Sequence, residues 1–281
     1  MRICGVQMVG IAAVTVPVYK AHPSADEKAS FLQLLSVLGR HRIVVFTHEE
    51  LDLTEYSALA GDLIFEVVYF AREYFKSIDG YNRLLCSPVF YEKFASYKFV
   101  LIYQLDAWVF KDELLYWCDL DYDFIGAPWF ASSPREDFPG RFRGIGNGGF
   151  SLRKISAHVK ALKRFHYLLP ANRLILDFFR GKIGRFGLKM LYKDLVRHNS
   201  THYSVRPAGE LMNEDVFWGL LIKRNFKWFR APDVITASRF SLEVNARKFY
   251  ELNGRCLPFG CHAWRVYEPE FWEKHIQPDK F

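Results

Sequence analysis

The chain has 281 residues, half of them hydrophobic and 17% aromatic, and carries a formal net charge of +7. This composition excludes a disordered or low-complexity protein and is ample for one large or two small cores. Five cysteines, Cys4, Cys86, Cys118, Cys256 and Cys261, include no CxxC pair, which argues against a disulfide framework or a zinc site and for a reducing cytoplasm.

In chain order, the stretch from Met8 to Val18 is apolar but short for a membrane span, contains Pro17 and leads into the polar stretch from Lys20 to Glu27. A soluble or peripheral protein is expected, with residues 11–18 as the first buried strand. Residues 24–27 (Ser-Ala-Asp-Glu) resemble a helix start, and Phe31, Leu34, Leu35 and Leu38 follow at helical spacing until Gly39. Residues 41–47 read as a second strand and 63–69 as a third, a βαβ opening that implies a parallel sheet. No GxGxxG turn is present, so an ordinary dinucleotide site is unsupported. Residues 81–87 and 90–94 read as helices that lead into a strand over 99–102.

That strand delivers a lone carboxylate, Asp106, into an otherwise apolar sequence. The carboxyl end of a central strand is where open α/β sheets bind ligands, so a cation, a ribose hydroxyl or a diphosphate is its natural partner. The competing reading is an Asp that only caps the next turn. Further on, glycines around Asn147 allow positive φ and close approach of backbone to a ligand, as a plain hairpin turn also would, and Phe150 and Leu152 resume a strand. Asn213, Glu214 and Asp215 open an apolar helix, where a cap and two acids suit the positive end of the dipole. One of those acids could equally serve as a general base. From Arg153 to Asn199, twelve Lys or Arg stand against only Asp177 and Asp194, interleaved with Leu, Ile and Phe. That mixture suits helices lying on an anionic membrane surface, a solvated helix pair, or, as the less expected partner, nucleic acid.

The segments TVPVYK, YNRLLCSPVFYEKF, YQLDAWVF, DYDFIGAPWF, GNGGFSLR, NEDVFWG and FGCHAW together resemble a bacterial domain-of-unknown-function family of GT-A-type glycosyltransferase-like proteins. The resemblance covers roughly residues 11 to 268. It implies an α/β fold of GT-A type: a single domain over 1–281, with a mostly parallel central sheet flanked by helices. Residues 1–110 would form the nucleotide-sugar donor half and 111–281 the acceptor half, including a basic helical segment over 153–199. The implied activity is an inverting transfer of sugar from a nucleotide-sugar donor, with a UDP-sugar favoured, to a cell-surface glycan of lipopolysaccharide, O-antigen or capsule type. A lipid-linked acceptor would place the protein in the cytoplasm, peripheral on the anionic inner leaflet.

Residue by residue, the resemblance puts base and ribose contacts at Thr15, Pro17 and Tyr19, joined by Asn82, Gln104 and Asp106. It puts Trp129, Asn147, Gly148 and Gly149 around the sugar and acceptor, with Trp129 as a flat face for a sugar ring. It makes Asp215 the general base, with Glu214 as the alternative. Asp106 matches the first Asp of the family's Asp-x-Asp metal motif, while Trp108 stands where the second would be. Mn²⁺ or Mg²⁺ would then be held by Asp106, with His262 as second ligand and phosphate oxygens completing the shell. Without metal, His262 or Arg265 would meet the charge of the departing nucleotide. The competing function is a non-catalytic protein on the same scaffold that binds anionic membrane or nucleic acid through its basic segment. Nucleotidyl transfer is disfavoured, because TVPVYKAHP lacks a glycine-rich basic signature after the first strand.

Overall fold

Short apolar runs rich in β-branched residues fit a pleated surface covered on both faces, and here they form the middle of the molecule. The computed structural model describes residues 10–130, 142–165 and 213–280. In chain order its elements begin β1 (Gly10–Pro17), α1 (Ala25–Leu38), β2 (Arg42–Thr47), α2 (Thr54–Ala60), β3 (Glu66–Tyr69), α3 (Ile78–Leu85), α4 (Pro88–Lys93) and β4 (Tyr97–Tyr103). They continue with β5 (Ala107–Val109), α5 (Leu114–Asp119), β6 (Phe124–Ile125), β7 (Pro128–Phe130), β8 (Phe142–Ile145), β9 (Phe150–Lys154) and α6 (Ile155–Phe165). After residue 213 come a helix starting at Glu214, β10 (Ser241–Leu242) and β11 (Gly260–His262).

Six strands form the central sheet in the order β3-β2-β1-β4-β9-β6. β1 runs parallel to β2 and β4, and β2 parallel to β3, while β9 is antiparallel to β4 and β6. The fold is therefore mixed α/β with a mostly parallel sheet, as expected from the βαβ opening. Successive residues of β4 enter opposite layers: Phe99, Leu101 and Tyr103 pack with Phe31, Leu34 and Trp117, and Val100 and Ile102 with Leu84, Phe90 and Trp218. Burial of each such side chain contributes ~1.5–3 kcal/mol, which makes this strand the axis of both cores.

Local chemistry sets the element ends. Ser24 accepts from the Glu27 N–H while Glu27 accepts from the Ser24 N–H, a reciprocal cap that starts α1. The third strand begins at Glu66 rather than at Leu63, because Leu63 and Ile64 lie on the surface. A small second sheet, β10-β11-β5, folds the carboxyl-terminal segment back over the end of β4. There β11 runs antiparallel to β5, with His262 opposite Ala107.

Of the basic segment over 153–199, only its beginning lies within the described residues. Arg153 is buried, Lys154 bridges Asp121 and Asp123, and Lys160 lies over the Trp228 ring, so these three belong to the body of the fold. The rest, from residue 166 on, lies outside the described residues, as do residues 131–141. Among the described residues, no helix is long and apolar enough to cross a membrane.

The helix from Glu214 changes to π-helical winding over Phe217–Ile222 and packs on β8 through Gly219. A Cβ at Gly219 would stand 1.6 Å from the Ile145 carbonyl oxygen, backbone against backbone, with no flexible side chain to yield. Gly219→Ala is therefore expected to cost about 2 kcal/mol or more of unfolding free energy in a urea titration.

Candidate functional site

A cleft of roughly 570 Å³ opens at the carboxyl ends of β1 and β4. Of the residues expected to bind ligand, Pro17, Tyr19, Asn82, Gln104, Asp106, Gly148, Gly149, Glu214, Asp215 and His262 all line it. Three others do not. Thr15 is fully buried within β1 and donates its hydroxyl to the Leu101 carbonyl across the sheet. Asn147 is buried at φ 68°, and its side-chain oxygen accepts the N–H groups of Gly149 and Phe150, so it serves its own turn. Trp129 covers Gly146 and donates its indole N–H to Glu243 at 3.5 Å.

One wall is built around Asp106. Antiparallel pairing of β5 with β11 brings His262 back beside Asp106, and the Ala263 N–H donates to the Asp106 carbonyl. Nε2 of His262 lies 3.0 Å from Asp106 Oδ1 and 3.2 Å from Gln104 Oε1, and its Nδ1 lies 3.2 Å from Glu243 Oε1. Burial works against charge on the ring, but hydrogen bonds with Asp106 and Glu243 outweigh it and lift the imidazole to about 10. Burial likewise opposes charge on Asp106, and the contact with His262 overrides it, holding the carboxyl below its ordinary range.

Trp108 is buried, with its ring 6.0 Å edge-on from Trp264, and takes no part in the cleft. The residue that stands beside Asp106 at the histidine is Gln104, two positions earlier.

The opposite wall is built around Asp215. Its Oδ2 accepts the N–H groups of Asn147 and Gly148 at 3.1 and 3.3 Å, and its Oδ1 accepts the Val216 N–H at 2.8 Å. Burial, and then the neighbouring charge of Glu214, push its carboxyl up to about 6. Glu214 is itself taken up by Arg153, whose two terminal nitrogens lie 2.8 and 2.7 Å from its oxygens in a fully buried fork. Its backbone N–H donates to Asn82 Oδ1. The walls meet at the glycine turn, where a Cβ on Gly148 would fall 1.8 Å from Glu214 Oε1 and one on Gly149 2.0 Å from His262 Nε2.

Arg153 and Glu243 were missed as site residues. Ser151 and Arg153 alternate with Phe150 and Leu152 along β9, which already sets Arg153 apart from those apolar residues by strand period. Nothing near Glu243 in sequence points to His262, nineteen residues away.

A carboxylate, an imidazole and an amide oxygen form a donor set that a divalent ion accepts, and an ion there would take the place of the proton between His262 Nε2 and Asp106 Oδ1. The contact of Nδ1 with Glu243 is the outer support that a ligating histidine commonly has. Among the described residues, no three His, Cys, Asp or Glu side chains cluster to hold a metal, so the protein would supply Asp106, His262 and the Gln104 amide oxygen, and a ligand the rest.

The sheet and cleft define an α/β protein with a cleft at the strand ends. Residues 64–262 match the model of a family described as protein of unknown function, DUF5672, and the chain belongs to that family. No curated protein matches the sequence. Among solved structures, the chain is similar to the apo form of the glycosyltransferase GlyE of Streptococcus pneumoniae at 12% identity and a TM-score of 0.45, covering 96% of this chain and 61% of that one. It thus spans less than two thirds of that protein's length. It is similar to the galactosyltransferase LgtC, solved with donor and acceptor sugar analogues, at 13% identity and a TM-score of 0.43, covering 89% of this chain and 86% of that one. It is also similar to core-mannan synthase A of Aspergillus fumigatus in a Mn/GDP form, at 11% identity and a TM-score of 0.39, covering 73% of this chain and 70% of that one. Scores below 0.5 at such identity carry no chemistry across.

Because His262 holds its proton more tightly in the fold than in the unfolded chain, its contribution to stability is full below the unfolded value of ~6.5 and is lost as pH rises through about 10. In EDTA-containing buffer, the stability difference between wild type and His262→Asn is expected to shrink steadily over that window. Urea unfolding at successive pH values measures it.

Proposed function

We propose that the protein is a nucleotide-sugar-dependent glycosyltransferase whose donor sits in the cleft against Asp106 and whose acceptor is activated by Asp215. A single arrangement carries the reading: one cleft holds, on one wall, a strand-end carboxylate joined to a cationic histidine and, on the other, a buried carboxyl raised to about 6. The first suits a nucleoside diphosphate and the second suits a general base working near neutral pH.

The residues divide the work as follows. Tyr19, Lys20 and Lys76 line the cleft with Pro17 and offer aromatic faces and positive charge to the nucleotide. Asp106, Gln104 and, once it has given up its Nε2 proton, His262 would hold Mn²⁺ or Mg²⁺, and the ion would supply positive charge to the leaving diphosphate. Asp215 takes the proton of an acceptor hydroxyl, and the hydroxyl oxygen forms its bond to the anomeric carbon as the bond to the diphosphate breaks. Attack from the far side inverts the anomeric centre. Glu214 is the weaker candidate for base, since it is paired with the positive guanidinium of Arg153 while Asp215 meets only backbone N–H groups. A cell-surface glycan acceptor, a UDP-sugar donor and a position at the cytoplasmic face of the membrane belong to the same proposal. The part of the chain that would touch anionic lipid lies outside the described residues.

The test is release of nucleoside diphosphate from a panel of UDP-, GDP- and CMP-sugars with sugar acceptors. Asp215→Asn is expected to lose at least ~100-fold in turnover while still binding donor, and wild-type turnover is expected to rise with pH through about 6. Full turnover by Asp215→Asn would sink the base assignment. No release from any donor by the folded wild type would favour the non-catalytic binding protein.

A further inference from the structure

The cleft rests on an ion pair that the proposed chemistry does not use. Arg153 is fully buried on β9, and each nitrogen of its guanidinium is engaged. Nε donates to Ser151 Oγ at 3.1 Å, Nη1 donates to the Tyr91 hydroxyl at 3.3 Å and pairs with Glu214 Oε2 at 2.7 Å, and Nη2 donates to Glu214 Oε1 at 2.8 Å and to the Gly148 carbonyl at 3.5 Å. One rigid fork therefore grips two segments 66 residues apart, the glycine turn at Gly148 and the helix start at Glu214.

Asp215 is the next residue along that helix, and Gly148 is one of the two donors to its Oδ2. The turn is also held by the Gln104 N–H, which donates to the Gly149 carbonyl at 2.8 Å, and the helix start by the Asn82 side chain, which accepts from the Glu214 N–H, while Arg153 reaches both segments at once. We propose that Arg153 is a positioning residue for Asp215, holding the glycine turn and the helix start at the spacing where the Asn147 and Gly148 N–H groups both reach its carboxyl. The proposal rests on the reading of Asp215 as general base only for its catalytic consequence. The mechanical claim stands on the contacts alone.

Among the described residues, the charged groups that act most on Asp215 are Glu214 beside it, Glu243 from the segment after β10, and Arg153 from β9, with the neutral Cys86 thiol also nearby. Two are negative and one is positive. Removing Arg153 leaves Glu214 bare beside Asp215 and frees the turn, so both the lost positive charge and the lost N–H contacts raise the Asp215 carboxyl. Removing the charge of Glu214 does the opposite, because it also leaves Arg153 unpaired nearby.

The experiment labels the aspartate carboxyl carbons of the full chain with ¹³C and follows Asp215 through a pH titration, its resonance assigned by its loss in Asp215→Asn. Arg153→Gln is expected to move the Asp215 midpoint up by about one unit, and Glu214→Gln to move it down by a similar amount. The amide protons of Asn147 and Gly148 are expected to exchange faster in Arg153→Gln. Opposite shifts with faster exchange support the proposal. Midpoints within ~0.2 unit of wild type in both variants overturn it. Where Arg153→Gln does not fold, an unmoved midpoint in Glu214→Gln suffices to overturn it. Donor turnover surviving in Asp215→Asn would refute the base reading while leaving the titration result intact, so the two failures are distinguishable.

Discussion

Two missing side chains hold this site together. At Gly148 and Gly149 a single added carbon would fall within 2.0 Å of the Glu214 carboxylate and the His262 ring, respectively. Without those carbons, β9 can enter the sheet beside β4 while an acid from one side of the cleft and a histidine from the other close onto the same turn. Asn147 makes the turn possible by accepting φ 68° and capping the next two N–H groups with its own side chain. Everything the cleft does electrostatically follows from how closely those groups are brought together.

The electrostatics are paired and opposed. On one wall a buried imidazole keeps its proton because two carboxylates flank it, and one of them, Asp106, is held ionised in return. On the other wall a carboxyl gives up its proton only near 6, because it is buried next to a second acid, and that second acid is paired with Arg153. A site in which one carboxyl is lowered and another raised has its roles sorted before any ligand arrives. In the proposed mechanism the diphosphate binds at the first wall and the proton is taken at the second.

Much of this was legible in the sequence, and the limits have physical causes. Asp106 stood out because a lone carboxylate after a β-branched run has no packing use, and the βαβ opening followed from spacing alone. Gln104 and Trp108 flank Asp106 at the same strand period, so the period alone does not say which of them shares its site. The choice was made by the chain turning into β5 after Asp106, which sends Trp108 into the core against Trp264. Arg153 was counted with a basic surface because its partner, Glu214, lies 61 residues away. Composition cannot tell a buried cation from a solvated one until the partner is known. The meeting of His262 with Asp106 depended in the same way on the antiparallel pairing of β5 and β11, which joins segments more than 150 residues apart.

The central claim is that the cleft at Asp106 is a nucleotide-sugar donor site. Calorimetric titration of the protein with UDP, GDP and CMP, each with Mn²⁺ and each with EDTA, tests it most directly, with Asp106→Ala as control. The expected result is saturable binding of one nucleotide, weakened by EDTA and lost in Asp106→Ala. Folded wild-type protein that binds none of the three, or that binds one equally well without Asp106, would contradict it.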